Sequence, residues 1–282
     1  MIDTPEKRHL FKKYKSALNK EPLQAEDFST ASLSDLLLLF EEFSLWRGIT
    51  PQADELAEII AETLLGLPLC TLISNVTGKL YHVEKAKKQT TMYIYVSEED
   101  ADKMVAVTYL KCSSADITDN NDFIVNSYTA EGFNSYLVVL NETKVTFLFS
   151  DFIHKQIKQN RNAKLVNAMS YFAQFSASGK SSTEAMTALY NGLKSAKLYI
   201  PEISAGKINS MLLSKNVKQA PRGAIIAYTS MNEIESSLSY TNCSLWGIND
   251  FLEKSPFDFM VIDSYRYNNL FVFSKSELER II

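Results

Sequence analysis

Ser178-Gly179-Lys180-Ser181 ends in the GKS tripeptide with which a phosphate-binding loop enters its helix. That loop also needs a glycine five positions before Gly179, and Gln174 stands there. The chain has 9 glycines and none of them forms a dinucleotide fingerprint, so neither a nucleotide nor any other cofactor is expected. Metal chemistry lacks ligands at useful spacing: His9, His82 and His154 lie far apart, and no CxxC or HExxH occurs. Asp116, Asp119 and Asp122 cluster their carboxylates without the central Gly and terminal Glu of a calcium loop, so a solvated acidic loop is expected. Ser230 follows a β-rich run and opens an amphipathic one, as a nucleophile elbow would. Its neighbours are Thr229 and Met231 rather than the glycines of GxSxG, and helix capping is the expected role. No catalytic and no metal-binding residue is assigned.

Recognition chemistry is better represented. Asp263, Tyr265, Arg266 and Tyr267 lie together between the last two β-rich runs. Tyr and Arg combine large contact area with directional hydrogen bonds, which makes these four the expected partner-binding residues. Trp46 and Trp246 are both expected in the core, as is the stripe Leu36, Leu37, Phe40 and Phe43. The basic stretch from Lys7 to Lys20 is expected to be a solvated helix face.

Bulk composition narrows the setting. The chain has 282 residues, 46% hydrophobic and 22% charged, which is ordinary for one large domain or two of common size. With 29 Lys and Arg against 33 Asp and Glu the net charge is -4, so phosphate backbones are repelled on average and nucleic acid is not the expected partner. Cys70, Cys112 and Cys243 have no paired spacing and read as buried thiols of a reducing compartment. The first residues carry positive charge with no apolar stretch behind them, which predicts no signal peptide. Apolar runs such as Leu36 to Phe40 are too short to span a membrane. A cytoplasmic location and no membrane contact are expected.

The elements that must position these residues show a repeat. Residues 1–50 read as a helical region, with Ser34 capping a helix that Gly48 ends. From residue 51 four blocks occur twice in the same order. DELAEIIAETLLGLPLCTLI corresponds to TEAMTALYNGLKSAKLYIP, pairing Gly66 with Gly192 and Leu72 with Leu198. SNVTGKLYHV corresponds to EISAGKINSM through Gly78 and Gly206. TTMYIYVSEEDADKMV corresponds to GAIIAYTSMNEIESSL, setting Tyr95 and Ser97 against Tyr228 and Ser230. The last block sets Phe133 against Phe257 and Phe147-Leu148-Phe149 against Phe271-Val272-Phe273, with turns at Asn141-Glu142 and Asn268-Asn269. KCSSADITDNND reads as a surface loop peculiar to the first copy. Ile153, Ile157, Leu165, Met169 and Phe172 predict a long linker helix over 153–181. The expected class is α/β or α+β, with domains at 51–152 and 182–282.

In the second copy, EAMTALYNGLKSAKLYIP, PRGAIIAYTSMNEI and FDFMVIDSYRYNNLFVFSKSEL together resemble the bacterial SseB-like proteins over residues 182–278. The first copy is similar in a more diverged form over residues 55–152, so the resemblance implies a tandem pair. The family usually has an Asn-Pro element near the domain end, where this chain has Asp263-Ser264-Tyr265. The resemblance implies a fold and carries over no site residue. The expectation for function is a non-catalytic bacterial protein-interaction or regulatory module, such as an immunity-type or secretion-associated adaptor, whose partner is another protein. The alternative is a hydrolase-like enzyme with its site in the groove between the domains.

Overall fold

A computed structural model describes residues 4–82, 90–107, 112–153, 156–179, 182–204, 207–213, 222–235, 242–263, 267 and 270–282. The chain divides into two compact units: Met1–Asn75, Leu80–Tyr128 and Phe133–Lys158 form one, and Val76–Lys79, Thr129–Gly132 and Gln159–Ile282 form the other.

The first unit opens with helices α1 (Pro5–Lys13), α2 (Lys15–Leu18), α3 (Leu33–Phe43) and α4 (Pro51–Leu65). Ser32, not Ser34, caps α3: its hydroxyl accepts from the Asp35 N–H, and the Asp35 carboxylate accepts from the Ser32 N–H. The helix stops at Phe43, well before Gly48. There follow β1 (Leu69–Ser74), β2 (Thr91–Tyr95), α5 (Glu98–Val107), β3 (Cys112–Ile117), α6 (Asn120–Thr129), β4 (Ser135–Leu140), β5 (Thr143–Leu148) and α7 (Phe149–Phe152). The sheet order is β3-β1-β2-β4-β5, with β2 and β4 parallel and the remaining pairs antiparallel.

Alternation along these strands produces two apolar faces. Met92, Ile94, Tyr136, Val138 and Phe147 join the cluster that includes Leu37 and Phe40 of α3 and Leu56, Ile60 and Leu64 of α4. Tyr93, Tyr95, Leu137 and Val139 join Cys70, Cys112 and Ala101 of α5 on the opposite face. The N-terminal helices therefore belong to the first unit's core.

The second unit contains α8 (Ala163–Ala177), α9 (Thr183–Ser195), β6 (Leu198–Ser204), β7 (Lys207–Ile208), β8 (Ser210–Leu213), β9 (Arg222–Ala227), α10 (Met231–Glu235), β10 (Asn242–Trp246), α11 (Ile248–Lys254), β11 (Phe259–Ile262), β12 (Val272–Ser274) and α12 (Lys275–Glu279). A three-stranded sheet β10-β6-β7 and a four-stranded sheet β12-β11-β9-β8 are joined where Tyr199 and Tyr228 exchange backbone hydrogen bonds of 2.8 and 2.9 Å. Read through that bridge, β10-β6-β9-β11-β12 repeats the order and sense of β3-β1-β2-β4-β5, including one parallel pair, β9 with β11. Both units are mixed α/β.

Register refines the repeat. Cys70 faces Tyr95 and Tyr199 faces Tyr228, so Leu69 and Leu198 are equivalent rather than Leu72 and Leu198. Tyr136 faces Phe147 and Met260 faces Phe273, a two-residue displacement from the Phe147–Phe271 match that keeps the side-chain face. From Cys112 onward, the supposed loop KCSSADITDNND is β3, a short turn and the start of α6. Polar residues are tolerated there because β3 is an edge strand, paired with β1 at every position from Cys112 to Ile117. Helix α8 begins only at Ala163, and its Leu165, Met169 and Ala173 enter the second unit's core. Gly206, Asn268-Asn269 and the Lys180-Ser181 part of the GKS segment lie outside the described residues.

No helix among the described residues is long and apolar enough to cross a membrane.

Candidate functional site

Of the four residues expected to bind a partner, Tyr265 and Arg266 lie outside the described residues. Asp263 and Tyr267 are placed, and both are buried. Asp263 directly follows β11 with φ 43° and accepts from the Thr229 N–H at 2.9 Å and the Thr229 hydroxyl at 2.7 Å. Tyr267 packs edge-on against Phe271 and shares a 3.1 Å hydrogen bond with the Ser170 hydroxyl. An interior carboxylate and an interior phenol of this kind hold strand ends and helices together and present no contact area to a partner. Ser230 lies in the turn before α10, where its hydroxyl meets the Glu233 N–H at 3.4 Å, the capping geometry expected of it. Asp119 likewise receives the Asp122 N–H at 2.9 Å, so one acid of the calcium-like cluster serves α6.

The surface feature that stands out comes from a residue assigned to the core. Trp46 is 52% exposed, and Leu45 and Ile49 are each 72% exposed. All three sit in the connection from α3 to α4. Trp46 follows Phe43 at helical spacing, but α3 has already ended: Ser44–Trp46 is a 3-10 turn, and the change of pitch swings Trp46 off the buried stripe. The turn then closes on itself, with the N–H groups of Ile49 and Thr50 donating to the Trp46 carbonyl at 2.9 and 3.2 Å. Gly48 supplies the left-handed conformation this needs, at φ 72°.

Arg47 anchors the turn between the exposed residues. Its guanidinium lies over the Phe40 ring at 5.5 Å, forms an ion pair with the nearly buried Asp151 of α7, and approaches Asp54 at 3.6 Å. Burial lowers the Arg47 pKa from its ordinary value, against the pull of Asp54. Asp151 is in turn fixed by accepting the Leu148 N–H at 2.6 Å. A half-buried cation paired with the buried Asp151 thus pins the centre of the segment while its apolar neighbours face solvent. Fully burying a Leu or Ile side chain contributes about 1.5–3 kcal/mol, and Leu45 and Ile49, each 72% exposed, forgo most of it.

Beside the turn lies a surface depression whose walls include Ile49, Thr50, Asp54, Glu55 and Glu58. Helix α4, PQADELAEIIAETLL, has no Lys or Arg, and it sets Asp54, Glu58 and Glu62 at successive four-residue spacings. Like charges so spaced cost about 0.2–0.5 kcal/mol per pair. Glu62 also stands in the last turn, where the helix dipole disfavours an anion. Glu55 is engaged within the unit, accepting the Leu23 N–H at 2.7 Å. The site is therefore a rigid apolar knuckle beside an acidic ridge. Among the described residues no group of three or more His, Cys, Asp or Glu is arranged to hold a metal.

No protein-family model matches the chain, and no curated protein matches it by sequence. Two solved structures are similar. Tic22 from Plasmodium falciparum is 10% identical over 74% of this chain and 95% of its own, with a TM-score of 0.21. Tic22 of Anabaena, described as a protein of protein transport, is 10% identical over 70% of this chain and 86% of its own, with a TM-score of 0.20.

Proposed function

We propose that the chain is a non-catalytic cytoplasmic protein-interaction module built from two related α/β units, and that its first unit engages a protein partner through Leu45, Trp46 and Ile49. The single observation that carries this reading is the exposure of three large apolar side chains on a turn whose backbone is closed and anchored. Trp is the residue type most enriched at interface hot spots, and a pre-ordered turn loses little conformational entropy on binding. The shared strand order of the two units supports the tandem SseB-like reading of the sequence.

Quantitative affinity purification from the native cell tests it, comparing the wild-type chain with Trp46→Ala/Ile49→Ala and with the surface control Val107→Ala/Leu270→Ala. The expected result is a stoichiometric protein partner retained by wild type and control and lost from the Trp46/Ile49 variant. Equal recovery of every associated protein by all three chains overturns the reading.

A further inference from the structure

We infer that the outer edge of β3 receives an extended, basic segment of a protein partner as an added strand, its Lys or Arg side chains meeting Asp102 and Asp116. This surface uses none of the knuckle residues and gives the first unit a second mode of recognition. β3 occupies one edge of β1 at all six positions from Leu69 to Ser74, so Tyr81, whose N–H donates to the Leu72 carbonyl at 2.8 Å, lies on the other edge. Hydrogen-bonding groups alternate along an antiparallel strand, so Leu69, Thr71 and Ile73 are the residues that bond to Ile117, Ala115 and Ser113. Ser114 and Asp116 therefore turn their N–H and C=O groups away from β1, where no described strand meets them. The strand CSSADI has no Lys, Arg or Pro and its pairing has no bulge, whereas β5 at the opposite edge of the sheet carries Lys144. An edge without those protections is open to another chain.

Charge selects the occupant. Asp116 stands in register with Cys70, and the Asp102 carboxylate accepts the Ser114 hydroxyl at 2.7 Å, so both acids lie on the sheet face that α5 covers. Glu98 joins them: burial, and then Asp116, Glu98 and Asp102 together, raise the Cys70 thiol above its ordinary pKa. All three acids are exposed, and Lys103 of α5 pairs instead with Glu99 and Asp100. Among the described residues no cation forms an ion pair with Glu98, Asp102 or Asp116. Alternate side chains of a strand laid against Ser114 and Asp116 enter this acidic face, where Lys or Arg is complementary. The intervening side chains lie beside Ala115 and Ile117, and Ile117 packs on the first unit's core, so small or apolar residues fit there. A second copy of β3 would bring its own Asp116 among the same acids and is disfavoured.

Fluorescence anisotropy with the full-length chain tests this, using labelled peptides of about eight alternating residues: Lys/Val, its Glu/Val counterpart, and Lys/Val with an N-methylated backbone. N-methylation keeps the charge and removes the strand hydrogen bonds. The expected result is saturable binding of the unmethylated Lys/Val peptide alone, weakened about tenfold or more by Asp102→Asn/Asp116→Asn. Ser114→Pro removes an outward N–H without taking a bond from β1, and is expected to weaken binding while the circular dichroism spectrum stays unchanged. Binding by Trp46→Ala/Ile49→Ala is expected to equal that of wild type, which keeps this site and the knuckle distinguishable. Absence of Lys/Val binding, equal binding of the Glu/Val or N-methylated peptide, or undiminished binding by the Asp102/Asp116 variant overturns the inference. Loss of binding in the Trp46/Ile49 variant assigns the peptide to the knuckle and also overturns it.

Discussion

Thr229 and Asp263 tie the ends of two parallel strands together: the threonine donates both its N–H and its hydroxyl to the two oxygens of one buried carboxylate. Both residues sit one or two positions past β9 and β11, and the Asp263 N–H returns a bond of 2.9 Å to the Ala227 carbonyl. Hydrogen bonds to a charged group contribute about 1.5–3 kcal/mol each, and a partner stranded in the interior adds its desolvation cost. Asp263→Ala is therefore expected to lower the stability of the second unit by about 2–4 kcal/mol, and Thr229→Val by roughly half as much. Urea denaturation followed by circular dichroism measures both. An Asp263→Ala chain as stable as wild type refutes the role assigned to this pair.

Arg47 is expected to be the most sensitive residue of the knuckle. Arg47→Met leaves the buried Asp151 without its cation; breaking a fully buried ion pair costs about 3–5 kcal/mol, and because Arg47 is only half-buried a smaller loss, about 2–3 kcal/mol, is expected. Adding Asp151→Asn removes the stranded charge, so the double variant is expected to recover part of the loss. The recovery is read as a difference in denaturation midpoint between the single and double variants. By contrast, Trp46→Ala is expected to change stability by no more than about 0.5 kcal/mol, as for other exposed positions.

His82 supplies a pH dependence. It is buried against the Phe133 ring, with centroids 4.6 Å apart, and burial pulls its pKa from 6.5 down to about 3. Below pH 6.5 the unfolded chain takes up a proton that the folded chain refuses, so the unfolded state gains and stability falls. This contribution is expected to be fully present above about pH 6.5 and to decline as the pH drops toward 3. The melting temperature recorded across that range is expected to fall less steeply for His82→Phe than for wild type. Parallel curves contradict the assignment.

Gly132 is held at φ 75°, and a Cβ there would lie 2.5 Å from the Ala163 carbonyl oxygen. Backbone strain and a backbone collision act together, so Gly132→Ala is expected to destabilise the second unit by about 1–3 kcal/mol or more. Gly48→Ala meets open space and only the conformational strain, and thermal melts of the two variants are expected to rank in that order.

The sequence made some of this legible and misdirected the rest for identifiable reasons. Strands β2 and β4 announce themselves because both of their faces are covered and their β-branched and aromatic residues alternate between two cores, while β5 buries only Val145 and Phe147 on one face. The repeat is visible because equivalent tyrosines stand at the ends of equivalent strands, Tyr95 as the last residue of β2 and Tyr228 immediately after β9. Strand β3 is hidden: an edge strand reading CSSADI has no apolar period, and its pairing with β1 is a tertiary fact. Extending the Leu36–Phe40–Phe43 stripe places Trp46 in the core, and no residue pattern signals that α3 tightens into a 3-10 turn at Ser44. Asp263 reads as a recognition residue because an acid among aromatics carries the same signature whether it faces solvent or accepts two hydrogen bonds from Thr229. The clue to the knuckle is Gly48 in the apolar run LWRGI, a helix-breaking residue that ends the helical signal beside exposed apolar side chains.

The central claim, that the turn from Leu45 to Ile49 is where a protein partner sits, is tested most directly by placing a photoreactive phenylalanine analogue at position 46 and irradiating native cells. Position 107, whose Val107 is 69% exposed, serves as the comparison. The account predicts a discrete covalent adduct from position 46, reproducible in mass and absent from position 107. The same diffuse products from both positions, or a discrete adduct from position 107 alone, would contradict it.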